Sequence, residues 1–298
     1  MTAVTLLDGS IGQELVKRSN DPITPLWSTQ VLMDQPELVG AVHRDYFAAG
    51  ATVATTNTYA VHKNRLAWEG LEPLQPDLIR NAVAQAQSAC RAHGGGRIAG
   101  AIGPVLASYR PDLKPDVAFA APLVAEICQI MADDVDLILL ETVSSLQEAE
   151  GELLGASDAG KPVWIAFSVH ESDGTRLRSG ELLADAAPLV ARFAPEAVLI
   201  NCSPPEVIAA ALSVVAGFGL PCGAYANGFT RISDGFLASA PTVDALEART
   251  DLTPEAYADF AMGWLDQGAT ILGGCCEVGP AHITELARRL RADGHDIV

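Results

Sequence analysis

Short apolar runs rich in aliphatic and β-branched residues recur along the chain, at residues 4–7, 52–55, 98–102, 135–140, 163–169, 197–200, 221–225 and 269–272. Between them lie longer stretches with apolar residues at helical spacing: 36–49, 78–92, 121–133, 145–156, 182–193, 205–216 and 254–267, with a last one at 280–292. Several of these open on Pro or on an Asp, Ser or Thr cap, as helix starts do. Runs that are apolar on both faces and alternate with helices call for a parallel sheet covered by helices. Eight such units in 298 residues predict a (β/α)8 TIM barrel, one α/β domain over residues 1–298. A doubly wound open sheet is the alternative. It would need a glycine-rich phosphate turn, and the first run leads into Asp8-Gly9-Ser10-Ile11-Gly12, without the GxGxxG spacing. No short repeat, low-complexity tract or linker interrupts the pattern.

In a (β/α)8 barrel the chemistry collects at the C-terminal ends of the strands. Those ends carry polar groups nearly every time: Asp8, Thr56-Asn57-Thr58-Tyr59, Glu141-Thr142, Asn201-Cys202, Tyr225-Ala226-Asn227 and Gly274-Cys275-Cys276. Three thiols at the ends of two strands can form one side of a tetrahedral zinc site and leave the fourth position open, as a catalytic site requires. The bland alternative is that each cysteine is a small buried hydrophobe, and that reading suits Cys90, Cys128 and Cys222. Gly273 and Gly274 are expected to let the backbone turn tightly, so that both following cysteines reach one ion. Asp8 and Glu141 are the acidic candidates. A carboxylate just after an apolar strand is desolvated unless it meets a cation, such as a substrate ammonium group. Their alternatives are a helix cap or turn for Asp8 and an arginine partner for Glu141. Asn57, Thr58, Asn201, Tyr225 and Asn227 are candidate hydrogen-bonding groups at the mouth. His170 falls in a polar loop, and the six histidines show no HxxxH or HExxH spacing.

Composition narrows the classes. Hydrophobic residues make up 49% of the chain, enough for a sizeable core. The formal net charge of −18 disfavours nucleic acid and anionic membrane surfaces as partners. No apolar run has the length of a membrane span, and the N-terminal residues lack the basic region of a secretory signal. Six cysteines, two of them adjacent, fit free thiols in a reduced, cytoplasmic setting better than a disulfide framework.

The motifs Leu6-Leu7-Asp8-Gly9 with Gly12 and Glu14-Leu15, Thr56-Asn57-Thr58-Tyr59, Gly103-Pro104, Leu140-Glu141-Thr142, Asn201-Cys202-Ser203-Pro204-Pro205 and Gly273-Gly274-Cys275-Cys276 make the chain resemble the homocysteine S-methyltransferase family. The resemblance runs nearly end to end. It implies a barrel with a catalytic zinc ion held by Cys202, Cys275 and Cys276. It also implies that homocysteine's sulfur takes the fourth position, and that Asp8 and Glu141 hold the substrate's amino-acid portion with Thr58 nearby. The expected reaction moves a methyl group from a small cationic donor (S-methylmethionine, S-adenosylmethionine or a related sulfonium or betaine) to homocysteine, giving methionine. Two other readings stand beside it: the same chemistry on another thiol or a selenol, and a non-catalytic zinc or redox-sensing barrel. Within the motifs Asp8–Leu15 and Tyr225-Ala226-Asn227 the sequence departs from many relatives at Ser10, Ile11, Gln13 and Ala226, which leaves the donor open; the oligomeric state is open as well.

Overall fold

Eight parallel strands form the barrel in the computed structural model, which describes residues 2–22, 24–113, 115–233, 235–237 and 246–298. They are Ala3–Leu6, Val53–Thr55, Arg97–Ile102, Leu137–Val143, Val163–Phe167, Ala197–Asn201, Cys222–Tyr225 and Ile271–Leu272. From the second strand onward each pairs with the next, and the eighth pairs with the first. The ring closes where Leu7 bridges Val53. There the Asp8 N–H donates to Val53 O at 3.0 Å, and the Thr52 N–H donates to Leu6 O at 2.7 Å.

The side chains alternate as a pleated barrel demands. Leu137, Leu139, Trp164, Ala166, Ala197 and Leu199 meet Leu7, Val53 and Tyr225 in one buried cluster inside the barrel. The residues between them, Ile138, Leu140, Ile165, Phe167, Val198 and Ile200, join the larger core shared with the helices. Both faces of each strand are therefore buried, which is why the strands read as unbroken apolar runs. Cys128 and Cys222 belong to this outer core, and Cys90 packs against it.

Several boundaries move for identifiable reasons. The helix expected from residue 121 starts at Val117, because the Asp116 carboxylate caps it by accepting from the Ala118 N–H at 3.1 Å; Pro122 lies inside the helix. The stretch 182–193 is a 3-10 turn, Leu183–Ala186, followed by a short helix, Ala187–Phe193. The fifth strand ends at Phe167, and Val169–His170 instead pairs antiparallel with Asp173–Leu177 in a hairpin. The fourth strand runs on to Val143 through a register shift between Leu140 and Val143. That irregularity sits under Glu141.

Candidate active site

A cavity of about 930 Å3, counting its open mouth, lies at the C-terminal ends of the strands. The first strand contributes Asp8, the second Asn57, the fourth Glu141 and Thr142, the sixth Asn201 and Cys202, the seventh Tyr225, and the eighth Cys275 and Cys276. Most of the strand-end groups expected at the mouth therefore meet there, Thr58 and Asn227 excepted.

The three sulfur atoms lie within 4.8 Å of one another. Backbone pairing with the exit of the seventh strand draws the segments that carry them together. The Cys202 N–H donates to Tyr225 O at 3.3 Å, the Cys275 N–H to Ala226 O at 2.9 Å, and the Gly228 N–H to Cys276 O at 2.8 Å. The Tyr257 hydroxyl donates to Gly273 O at 2.5 Å and accepts from the Ala226 N–H at 3.1 Å, locking the two strand exits together. Gln13 exchanges two hydrogen bonds with Glu277, the residue after Cys276. The glycine pair works differently from the expectation. Neither Gly273 nor Gly274 has a positive φ. They are needed for close packing: a Cβ on Gly273 would lie 2.5 Å from Leu7 Cβ, and one on Gly274 would lie 2.2 Å from Val278 Cγ1.

Free thiols were the expectation, and here the structure differs: Cys202 and Cys275 are joined in a disulfide. Cys276 stays free, its Sγ 3.7 Å from that of Cys202 and 3.9 Å from that of Cys275. Sequence-adjacent Cys275 and Cys276 do not pair. The strand ends instead bring Cys202 and Cys275 to a Cα–Cα distance of 5.7 Å, within bonding range. Burial, then the Glu277 and Glu141 charges, push the Cys276 thiol up to about 12. A divalent cation is what would reverse that order and hold the sulfurs as thiolates.

The carboxylates are built in from the strands. Asp8 is 1% exposed and accepts from the Thr55 N–H at 2.7 Å and the Thr55 hydroxyl at 2.9 Å, so it is neither a helix cap nor part of a turn. Burial raises its pKa well above the usual carboxylate range, and the nearby Glu141 adds to this, although the Thr55 bonds oppose it. Among the described residues Glu141 has no arginine partner. Its Oε1 accepts from the Tyr225 hydroxyl at 2.9 Å, and burial pushes its pKa up to about 7. No Lys, Arg or His lines the cavity beside these two acids among the described residues. Asn201 works one step back. Its Oδ1 accepts from the Thr142 N–H at 3.0 Å, and its Nδ2 donates to Thr142 Oγ1 at 3.1 Å. It thereby holds Thr142 at φ 64° and aims Glu141 inward.

Other expected residues serve the scaffold. Asn57 lines the cavity but spends its side chain on Ser28, accepting from Ser28 Oγ at 2.7 Å and donating to Ser28 O at 3.1 Å. Thr58 does not line the cavity; its hydroxyl donates to Ala101 O at 2.6 Å and ties the second strand's exit to the third strand. Asn227 also lies off the wall, with its N–H on Ser203 O at 3.1 Å and its side-chain amide at the Tyr109 hydroxyl.

Apart from Tyr59, the aromatic cap of the cavity left no signal in the sequence. Trp27, Tyr59, Tyr109, Phe229 and Phe236 line the cavity. The Phe236 ring lies 5.5 Å from Trp27 and 5.9 Å from Tyr109. One signal marks this region only in three dimensions. Among the described non-glycine residues with left-handed backbone, Asn20 and Ala194 end helices. Of the remainder, Trp27, Tyr109, Thr142 and Cys202 line the cavity and Glu277 directly follows Cys276, where such strain collects when a site over-determines its backbone.

Comparison with known proteins agrees with this geometry. A curated homocysteine S-methyltransferase of Escherichia coli is 32% identical over 308 residues, covering 96% of this chain and 95% of the relative. A selenocysteine Se-methyltransferase of Brassica oleracea is 27% identical, covering 96% of this chain and 88% of the relative. The crystal structure of the homocysteine methyltransferase MmuM from Escherichia coli in its metallated form superposes with a TM-score of 0.81 at 28% identity, covering 97% of this chain and 96% of that one. The family model for homocysteine S-methyltransferase matches residues 5–290, and the chain belongs to that family.

Proposed function

We propose that this protein is a zinc-dependent S-methyltransferase that moves a methyl group from a small cationic donor to homocysteine, giving methionine. One observation carries the reading: three sulfur ligands and two buried, uncompensated carboxylates face a single cavity at the barrel mouth. The donor set fits zinc, which favours thiolate ligands and keeps an open position in catalytic sites. For Zn–S bonds of about 2.3 Å, tetrahedral geometry sets S–S edges at about 3.8 Å. The Cys276 separations of 3.7 and 3.9 Å match that edge. The third edge is closed by the Cys202–Cys275 bond, so the protein must be reduced before all three can serve as ligands. On this reading the chain acts as one catalytic barrel domain over residues 1–298 in a reducing, cytoplasmic setting.

When bound, zinc would lower the pKa of the substrate thiol and supply a thiolate at neutral pH. The chain does the rest. Asp8 and Glu141 take the substrate ammonium group, and that cation returns both carboxylates to their ionised form. Tyr225 fixes Glu141 through its hydroxyl, while Thr55 fixes Asp8. The aromatic cap excludes water and offers ring faces to a cationic donor. Homocysteine's sulfur then attacks the donor methyl carbon in line. The new S–C bond forms as the donor's C–S or C–N bond breaks, and the bonding pair stays on the donor heteroatom, whose positive charge disappears. Proximity and orientation are what this step demands of the enzyme.

The likeness to a selenocysteine Se-methyltransferase favours a second reading, in which a selenol is the acceptor. A purely redox-sensing barrel would have no use for two mouth carboxylates. The test is zinc content of the reduced protein together with a donor screen, following loss of homocysteine thiol and appearance of methionine. One zinc per chain with turnover on a sulfonium or betaine donor is expected. Full zinc with selenol turnover and none on homocysteine would shift the assignment to the second reading.

A further inference from the structure

The turn that carries Cys276 is tied down by a side chain from the opposite end of the sequence. The Val278 N–H donates to Cys275 O at 3.1 Å and closes the turn, which holds Glu277 at φ 65°. Non-glycine residues rarely adopt that conformation, and it persists where neighbours over-determine it. Both polar atoms of the Cys276–Glu277 peptide are engaged. The Cys276 carbonyl accepts from the Gly228 N–H at 2.8 Å, and the Glu277 N–H donates to Gln13 Oε1 at 2.7 Å. The first bond is made by main chain alone. The second depends on one side chain.

Gln13 is itself held in place. It is 7% exposed and lines the thiol cavity. Its Oε1 also accepts from Ser10 Oγ at 3.2 Å, and its Nε2 donates to Glu277 Oε1 at 2.8 Å. Ser10 stands at the N-cap of the helix Ile11–Ser19 without capping it, because its hydroxyl goes to Gln13 instead. Lys17, one turn further along that helix, pairs with the other Glu277 oxygen at 2.5 Å but is half exposed. Main chain already joins the two segments on either side of the turn. The Gly274 N–H donates to Asp8 O at 2.9 Å, and the Ser10 N–H donates to Val278 O at 3.0 Å. What Gln13 adds is control of the peptide between those ties, the one that directly follows Cys276. Ser10 and Gln13 are among the positions at which the sequence departs from many relatives, so the lock is built from this chain's own residues.

We propose that Gln13 is a positioning residue of the metal site. By locking the Cys276–Glu277 peptide it keeps Cys276 Sγ at 3.7 and 3.9 Å from the other two sulfurs, the separation that a shared zinc ion requires. It touches neither the metal nor the substrate and acts through the backbone of a ligand. The inference rests on the zinc-dependent reading above. Outer partners that orient metal ligands are worth about 10- to 100-fold in metal affinity. Without Gln13 the Glu277 N–H loses its acceptor, nothing but the Cys276 carbonyl bond opposes relaxation of the left-handed residue, and the third sulfur is no longer held to the other two.

Zinc affinity of the reduced protein, measured by competition with a chromophoric chelator, tests this without turnover. Gln13→Leu keeps the charge and removes both bonds to Glu277, and it is expected to weaken zinc by about 10- to 100-fold. Gln13→Glu combined with Glu277→Gln exchanges donor and acceptor at the same net charge, and it should return the affinity to within about threefold of the wild type. Lys17→Met removes only an exposed ion pair and should change the affinity by about threefold or less. Wild-type affinity in Gln13→Leu, even with a lowered melting temperature, would make Gln13 a scaffold residue and overturn the assignment. A failure of the exchanged pair to recover affinity would do the same. An equal loss in Lys17→Met would transfer the effect to the Glu277 charge and also overturn it. If Gln13→Leu does not fold, Gln13→Asn, too short for both bonds, decides in its place with the same loss expected. A wild type that takes up no zinc would sink the zinc-dependent reading and this assignment with it, whereas equal zinc binding by the wild type and Gln13→Leu removes the assignment alone.

Discussion

Two pairs of buried acids lie close together in this chain and have different consequences. Asp8 and Glu141 face the barrel mouth. Glu148 and Glu152 lie one turn apart on the helix Leu146–Ala156, 6% and 0% exposed. Burial raises the pKa of all four carboxyls, with Glu148 pushed up to about 7 and Glu152 well above its usual range. Glu148 accepts from the Ser144 N–H at 2.7 Å at the start of its own helix, while both oxygens of Glu152 lack a partner among the described residues. Neither helix acid lines a cavity described here. Burial and a raised pKa therefore do not by themselves identify a binding group. What separates the pairs is access: Asp8 and Glu141 line a cavity that a cation can enter, and a cation bound there would recover the cost of desolvating them.

The largest effect should come from removing the sulfur beside the mouth pair. Cys276→Ser is expected to lose zinc stoichiometry and to cut methyl transfer by roughly a thousandfold or more, the scale of several kcal/mol of metal assistance. Metal analysis paired with a rate assay checks it, and transfer persisting in a zinc-free variant would sink the mechanism. Next comes the mouth pair itself. Glu141→Gln should raise the homocysteine KM by about 30-fold or more, the effect of unpairing a buried charge, with the donor KM little changed. Equal rises in both constants would take Glu141 out of its assigned role.

A pH profile sharpens the contrast. With its pKa at about 7, Glu141 in the free enzyme is protonated at pH 6 and ionised at pH 8. The kcat/KM for homocysteine should therefore fall as pH drops through about 7. The substrate ammonium lowers that pKa in the complex, so kcat should fall less. Glu141→Gln should flatten this limb of the profile, and an unchanged limb would assign it to another group.

The smallest effect belongs to the helix pair. A carboxyl whose pKa is higher folded than unfolded holds its proton longer in the native state, so its contribution to stability declines as pH rises above the unfolded value. Glu152→Gln should therefore raise the melting temperature by a few degrees at pH 8, have little effect near pH 4.5, and leave the kinetics unchanged. A stability gain equal at both pH values would show that charge burial is not its cause.

Much of the architecture was legible along the chain because strands buried on both faces leave continuous apolar runs, and helices between them leave a 3.6-residue period. Asp8 and Glu141 were legible because each is the first polar group after such a run, and Cys202, Cys275 and Cys276 because they follow such runs within four residues. The roles of Asn57, Thr58 and Asn227 were not, since a side chain at a strand end can turn to the cavity or to its neighbours, and the neighbours are distant in sequence. Asn57 meets Ser28, and Thr58 meets Ala101.

By itself, then, the sequence determined the alternation of elements, the barrel class and which polar and thiol groups stand at the strand exits, because those follow from local periodicity and residue chemistry. Only the tertiary structure decided which groups share a cavity. It brought Cys202 and Cys275 within bonding range beside Cys276, assigned Gly273 and Gly274 to close contact with the first strand's exit and Val278, and gathered Trp27, Tyr109 and Phe236 into a cap. Each of these depends on backbone segments far apart in sequence meeting within a few ångströms, and no local pattern encodes that distance.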